Sequence, residues 1–205
     1  MLTPLPRAFF ARHPHIVARQ LLGKLLIRRS SGHLIAGRIV ETEAYLGALD
    51  LAAHSAVGKT ARNEVMFGPA GHCYVYFSYG MHYCANVSCD KEGNGGAVLF
   101  RALEPVSGIG SMAVARGLKL AAQPTQKDLK LLASGPGRLA QALRITRPND
   151  NAKDLTSSRS DLFIADDGLL KRPRITTTSR IGITKSADLP LRFYITGNPF
   201  VSGKK

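Results

Sequence analysis

Two carboxylates, Glu41 and Glu43, stand two residues apart in the stretch Gly37-Arg38-Ile39-Val40-Glu41-Thr42-Glu43-Ala44-Tyr45. Ile39 and Val40 open this stretch as a strand, and at period 2 residues 39, 41, 43 and 45 share one face. A face carrying Glu, Glu and Tyr is not plain core, because burying an unpaired carboxylate costs on the order of several kcal/mol. In a chain of net charge +14 the two acids also run against the trend. Two readings fit. The stretch is a solvated edge strand whose acids pair with nearby arginines, or the carboxylates are held for chemistry, as a general base or as ligands of a catalytic cation.

Other residue types able to do chemistry lie downstream. His54 falls in Gly47 to Gly71, a polar, glycine-containing segment that also carries Arg62-Asn63. Segments this long with little periodicity are usually functional or disordered. Taken alone, His54 reads more readily as a surface or satisfied histidine. The run Cys73 to Ser88 holds four of the six tyrosines in the chain. Alternation places Tyr74 and Tyr76 on one face and Val75, Phe77 and Tyr79 on the other. Such rings are half-buried sheet aromatics with wet hydroxyls, or, beside a basic surface, groups that stack on bases or wedge into a duplex. Arg101 closes the apolar strand Ala97-Val98-Leu99-Phe100. It either pairs with an acid such as Glu43 or lies in water at the strand end. Gly135-Pro136-Gly137 opens a helix ahead of Arg138 and exposes backbone N–H groups that suit a phosphate, although a plain helix–helix corner needs no ligand. Lys171-Arg172-Pro173-Arg174 is a basic cluster, a solvated loop or a rim that faces DNA.

These residues need elements to hold them. Pro14 starts a helix carrying Ile16, Val17, Leu21 and Leu22, and Gly23 stops it. Leu25-Leu26-Ile27 is a strand, Ser30-Ser31-Gly32 its turn, and Leu34 to Tyr45 the returning strand, so the acids lie on the second arm of an early hairpin. Gly80 breaks the tyrosine-rich run near Tyr79 to His82 and predicts a second hairpin or sharp bend. Asp90 to Gly96 is a loop. Ser107 to Ser134 reads as helical, with Thr125 and Asp128 marking a helix start, and a second helix spans about Arg138 to Leu143. Thr146 to Asp161 reads as a surface loop. Leu162-Phe163-Ile164, Ile175 to Thr177, Ile181 to Thr184 and Arg192 to Thr196 read as short strands. Strand signals without regular βα alternation predict a single α+β domain over residues 1–205, built on a curved, mainly antiparallel sheet with helices packed around it.

Composition limits the function classes. The chain has 205 residues, 28 Lys plus Arg against 14 Asp plus Glu, and a pI near 10.2, which predicts a polyanionic partner, nucleic acid first. No stretch reaches the roughly 18 apolar residues of a membrane span, and Met1 to Arg12 lacks a secretory pattern. Cys73, Cys84 and Cys89 show no C-x-x-C and no histidine at zinc-finger spacing, so reduced thiols in a cytoplasmic compartment are expected.

Several of these stretches, in order, resemble the alkyladenine (3-methyladenine) DNA glycosylases, which excise damaged purines, and the short N-terminus resembles a bacterial member. The carrying segments are Gly37 to Tyr45, Ala53-His54-Ser55, Arg62-Asn63 with Met66-Phe67, Tyr74-Val75-Tyr76 through Tyr79-Gly80-Met81, Asn86, Val98 to Pro105, Ser134-Gly135-Pro136 and Leu191-Arg192-Phe193-Tyr194. The resemblance implies Glu43 as the base that activates water, with Arg101 holding that water and the acid. It implies Tyr45 on one face of the extruded base and His54 and Tyr76 on the other, with Asn86 crowding the place of guanine's exocyclic amino group. Tyr79 would fill the gap in the duplex, and Met81, Arg138, Lys171, Arg172 and Arg174 would contact DNA. Glu41 inherits a structural or electrostatic role. No cofactor and no metal is implied. The implied partner is double-stranded DNA containing damaged purines, bound by a monomer in the cytoplasm or nucleoid. The loop Asp90 to Gly96 is longer than the family pattern, and the C-terminal third matches loosely enough to leave its base-lining residue unassigned. Three rivals stand beside this reading: a metal-dependent nuclease using Glu41, Glu43 and His54, a non-enzymatic nucleic-acid-binding module, and a helix-hairpin-helix glycosylase suggested by Ser134-Gly135-Pro136-Gly137.

Overall fold

A computed structural model describes residues 2–30, 32–78, 80–170 and 173–203. Helices α1 (Arg7–Phe10) and α2 (Pro14–Leu21) lead into a hairpin of β1 (Leu25–Ser30) and β2 (His33–Tyr45). Three 3₁₀ turns, Gly47–Leu49, His54–Val57 and Glu64–Phe67, precede β3 (Cys73–Ser78), β4 (His82–Cys89) and β5 (Gly96–Ser107). Helices α3 (Ile109–Ala115), α4 (Gln126–Ala133), α5 (Pro136–Ala142) and α6 (Arg147–Asp150) follow, and β6 (Leu162–Ala165), β7 (Ile175–Thr178) and β8 (Arg192–Ile195) complete the order.

The eight strands form one open antiparallel sheet in the order β3-β4-β5-β2-β1-β6, with β8 joined to both β2 and β7. The α+β class expected from the sequence is what the chain adopts. Strand β2 is its spine. One edge of β2 pairs with β5 from Ala36 to Tyr45, while the other meets β1 over His33 to Arg38 and β8 over Glu41 to Glu43. The solvated-edge reading of the Glu41 stretch is therefore corrected: the strand is interior, because β8 returns from the far end of the chain to cover it.

Register shifts interrupt the β2–β5 ladder between Ile39 and Glu41 and between Glu41 and Thr42. Ile39 faces Leu103, Glu41 faces Ala102 and Thr42 faces Phe100, so Val40 and Arg101 are each the extra residue on their own strand. Bulges re-aim side chains, and these two replace the simple alternation expected for residues 39 to 45. Arg101 is thus mid-strand and buried, not at a strand end in water.

Helix α2 packs Val17, Ala18 and Leu21 onto the sheet, and its Ala18 carbonyl accepts the Thr42 hydroxyl at 2.9 Å. The main core joins α2 to β2, β4, β5, α4 and α5. The helical pattern expected over Ser107 to Ser134 is carried by two helices, with Gly117 at φ +64 after the first. Thr125 and Asp128 do form a capping box at α4. The loop expected over Thr146 to Asp161 contains α6, capped by Thr146, whose Asp150 is fully buried against Arg28 and Lys153. Ile181 to Thr184 is an irregular turn and not a strand, since Gly182 sits at φ +76 and Ser186 at +46.

Gly47 follows β2 at φ +78, where a Cβ would overlap the Asn94 carbonyl oxygen. Replacing Gly47 with Ala should destabilise the fold by about 3 kcal/mol through backbone strain and overpacking. Thermal denaturation should show that as a fall in Tm of roughly 9 °C.

Candidate active site

The two carboxylates of β2 have different company. Glu41 Oε1 accepts Nε of Arg101 at 3.1 Å and Nε of Arg192 at 2.7 Å, and its Oε2 accepts the Ser202 backbone N–H at 2.6 Å. Glu43 Oε1 accepts the Ile181 backbone N–H at 2.8 Å and lies 3.1 Å from Nη1 of Arg101, while its Oε2 accepts the Tyr45 hydroxyl at 3.0 Å. Both acids are 0% exposed. Arg101 joins them. Burial works against its charge, but Glu43 and Glu41 outweigh that and raise its pKa above the ordinary arginine value. Burial first, and then the negative Glu43, push the Tyr45 phenol well above its usual range, so it stays a donor.

In front of this pair opens a cavity of about 270 Å³. Tyr45, His54, Tyr74, Tyr76 and Asn86 line it, with Arg62, Met66, Gly182 and Ile183 at other points of the wall. Glu43 is not part of the wall; it lies behind Tyr45, bonded to that residue's hydroxyl. The His54 and Tyr76 rings meet edge to face at 4.5 Å, and His54 Nδ1 is 2.9 Å from the Tyr74 hydroxyl. Burial, with Arg62 second, lowers the His54 pKa below its ordinary 6.5, so the ring is neutral at pH 7.

Local sequence explains these placements. Asn63 is buried, donates to the His54 carbonyl at 2.8 Å and the Gly58 carbonyl at 2.9 Å, and so fixes the 3₁₀ turn that carries the histidine. Asn86 lies opposite Tyr74 on β3 and donates to its carbonyl at 3.0 Å. The β3–β4 hairpin presents Met81, 76% exposed, next to its turn. Tyr79, Lys171 and Arg172 lie outside the described residues. Arg138 and Arg174 are exposed and stand away from the cavity wall. The Gly135-Pro136-Gly137 corner is a packing device. Gly135 N–H donates to the Arg101 carbonyl at 3.0 Å, and a Cβ on Gly137 would overlap the His82 ring.

The structure therefore brings Glu43, Arg101 and Tyr45 into one hydrogen-bonded group, with His54, Tyr76 and Asn86 around the adjoining cavity. Sequence reasoning missed Asp50, Arg180 and Ile181, named Tyr74 only as one of the sheet tyrosines, and gave Arg192 no role. The signal available was electrostatic: two buried acids require more guanidinium groups than Arg101 alone. Among the described residues no cluster of three or more His, Cys, Asp or Glu side chains is placed to hold a metal ion. The three cysteines are free and buried.

The profile of the methylpurine-DNA glycosylases matches residues 8–199. The chain belongs to this family. A protein of Koribacter versatilis, provisionally named a 3-methyladenine DNA glycosylase, is 61% identical over 204 residues, covering 100% of this chain and 95% of the relative. Proteins with the same provisional name from Methanoculleus marisnigri and Burkholderia cenocepacia are 50% and 48% identical, covering 97% and 98% of this chain and 98% and 92% of their own lengths. The family match spans both carboxylates, the cavity wall and the returning strand β8, so the whole constellation belongs to the matched region.

Glu41 should reveal itself through stability. A Glu41→Gln variant of this glycosylase-family chain leaves two buried guanidinium groups short of a counter-charge, at a cost of about 3–5 kcal/mol. Urea denaturation of the variant checks this; an unchanged unfolding midpoint would show that neither Arg101 nor Arg192 depends on Glu41 for its charge balance.

Proposed function

We propose that this chain is a DNA glycosylase that hydrolyses the N-glycosidic bond of damaged purines in duplex DNA and leaves an abasic site. The observation that carries the reading is a buried, hydrogen-bonded carboxylate, Glu43, directly behind a cavity walled by Tyr45, His54 and Tyr76. Family membership supports the substrate class.

A stacked base hides its C1′–N bond, so the nucleotide must first leave the duplex, at a cost of a few kcal/mol that is smaller for weakly paired damaged bases. Tyr79 fills the vacated stack. The extruded purine enters between Tyr45 and the His54–Tyr76 pair, with Asn86 restricting guanine's exocyclic amino group. Water reaches Glu43 by replacing the Tyr45 hydroxyl on Oε2, the one neutral side-chain donor among its partners. Glu43 takes the proton, water attacks C1′, and the purine departs. Arg101 keeps the carboxylate charged and oriented. Aromatic rings favour a cationic alkylated base by cation–π attraction, on the order of 1 kcal/mol or more when desolvated. Among the described residues no lysine lines the cavity, which supports hydrolysis by water over Schiff-base chemistry. Met81, Arg138, Lys171, Arg172 and Arg174 contact the flanking duplex, and the chain works as a monomer.

A single-turnover release assay on duplex carrying hypoxanthine or 7-methylguanine tests this directly. Glu43→Gln should keep duplex affinity and lose release by at least about a hundredfold, the ordinary worth of a general base. Release at the wild-type rate by that variant ends the assignment. Chelator should leave the rate unchanged; strong inhibition would favour a metal-dependent nuclease.

His54 adds a pH signature. Its lowered pKa keeps it neutral at pH 7, and protonation as the pH falls through that lowered value sets a cation beside the base. Release of cationic 7-methylguanine should therefore fall more steeply on the acid side than release of neutral hypoxanthine. In His54→Gln the two acid limbs should coincide; a persistent difference would remove His54 from the base-contacting wall.

A further inference from the structure

A second buried ion pair sits beside the cavity. Arg180 and Asp50 are both fully buried, with Nη2 of Arg180 2.8 Å from Oδ1 of Asp50 and Nη1 on Oδ2. The same guanidinium donates to the Ala44 carbonyl at 3.0 Å, the peptide between Glu43 and Tyr45. It lies 4.7 Å over the Tyr45 ring and donates to the Ser186 carbonyl at 3.1 Å, which closes the turn after it. The next residue along, Ile181, gives its N–H to Glu43. Asp50 in turn accepts the N–H groups of Leu46 and Ala52, at 3.2 and 3.1 Å, and so shapes the chain that leaves β2 and leads to His54.

From these contacts we propose that Arg180 and Asp50 are positioning residues for base release, a clasp that sets the Glu43 carboxylate and the Tyr45 ring. The proposal rests on the glycosylase reading above. Neither side chain lines the cavity, so neither touches the base. Their effect passes through three elements the reaction needs: the Ile181 N–H on Glu43, the Ala44 peptide and the face of Tyr45. A pair serving stability alone has no need of this arrangement, since a buried ion pair is commonly replaced by well-packed apolar groups at little cost. The two partners are 130 residues apart in sequence, and the pair fixes a C-terminal turn onto the strand that carries Glu43.

The clasp makes a prediction that a structural role does not. Loss of the Arg180 anchor frees the Ala44 peptide and the turn that carries the Ile181 N–H, so Glu43 loses a fixed donor and the release step slows while duplex binding does not. Asp50→Asn, which keeps the shape of the side chain, and Arg180→Ala are compared with wild type by single turnover at saturating duplex, where unfolded protein lowers amplitude and not the rate constant. Hydrogen exchange of the peptides covering residues 43–46 and 180–186 is followed on the same proteins. The expected result is a rate loss of about 10²-fold, as for small misplacements of a reacting group, with duplex affinity nearly unchanged. Exchange should quicken in both peptides, and millimolar methylguanidinium should restore rate to Arg180→Ala but not to Asp50→Asn. Folded variants with wild-type rate overturn the clasp. If wild type releases no base, the glycosylase reading fails; the clasp is then decided by exchange, and unchanged protection in both peptides overturns it.

Discussion

The structure depends on keeping carboxylates charged in the dry middle of a sheet. Removing such groups from water costs several kcal/mol each even after relaxation, on the order that a whole domain has to spare. The fold meets this cost with matched charges. Three buried acids, Glu41, Glu43 and Asp50, are met by three buried guanidinium groups, Arg101, Arg180 and Arg192. The cluster sums to zero inside a chain of net charge +14. The excess positive charge is therefore carried by residues outside the cluster, where it suits a polyanion, while the interior site is neutral.

That balance explains much of the architecture. Arg101 comes from β5, whose bulge places it against both acids of β2, and its freed carbonyl is taken by Gly135 at the start of α5. Arg192 and the Ser202 N–H come from β8 and the segment after it. Arg180 comes from the irregular turn between β7 and β8. The returning strand has to sit beside β2, because without it Glu41 would keep one guanidinium and lose a backbone donor. The site thus exists only when contacts separated by 130 to 160 residues have formed, and its geometry is a property of the complete fold.

This division also decides what could be read from the sequence. Local signals were legible. The β1–β2 and β3–β4 hairpins, the Pro14 helix start, the Thr125 capping box and the pairing of Arg101 with Glu43 all follow from propensity, turn chemistry or charge. The turn at Ile181 to Thr184 did not, because its β-branched residues favour a strand while its shape comes from Gly182, Ser186 and a backbone bond to Glu43. Helix α6 was hidden because its anchor, Asp150, is held by Arg28 of β1, 122 residues away in sequence. Period 2 assigns a residue to a face, but bulges at Val40 and Arg101 cancel that assignment where the chemistry lies. The roles proposed for His54, Tyr76 and Asn86 come from the family resemblance, because composition and spacing alone left them ambiguous.

The different fates of the two acids follow from their partners. Glu41 holds two guanidinium groups and a backbone N–H, so two of its three partners are charged donors. Water competes poorly for such a carboxylate. Glu43 shares one of those guanidinium groups and fills its remaining valences with a peptide N–H and a phenol. The phenol belongs to a side chain on the cavity wall, so the one neutral side-chain donor to Glu43 also faces the space where a base would sit. On the proposed mechanism, a water that takes the place of the phenol inherits a position next to both a charged base and the sugar. The same strand therefore makes one acid a fixed counter-ion and leaves the other partnered by a neutral hydroxyl on the cavity wall, and this asymmetry follows from Arg192 of β8 pairing with Glu41 alone while Arg101 of β5 serves both acids.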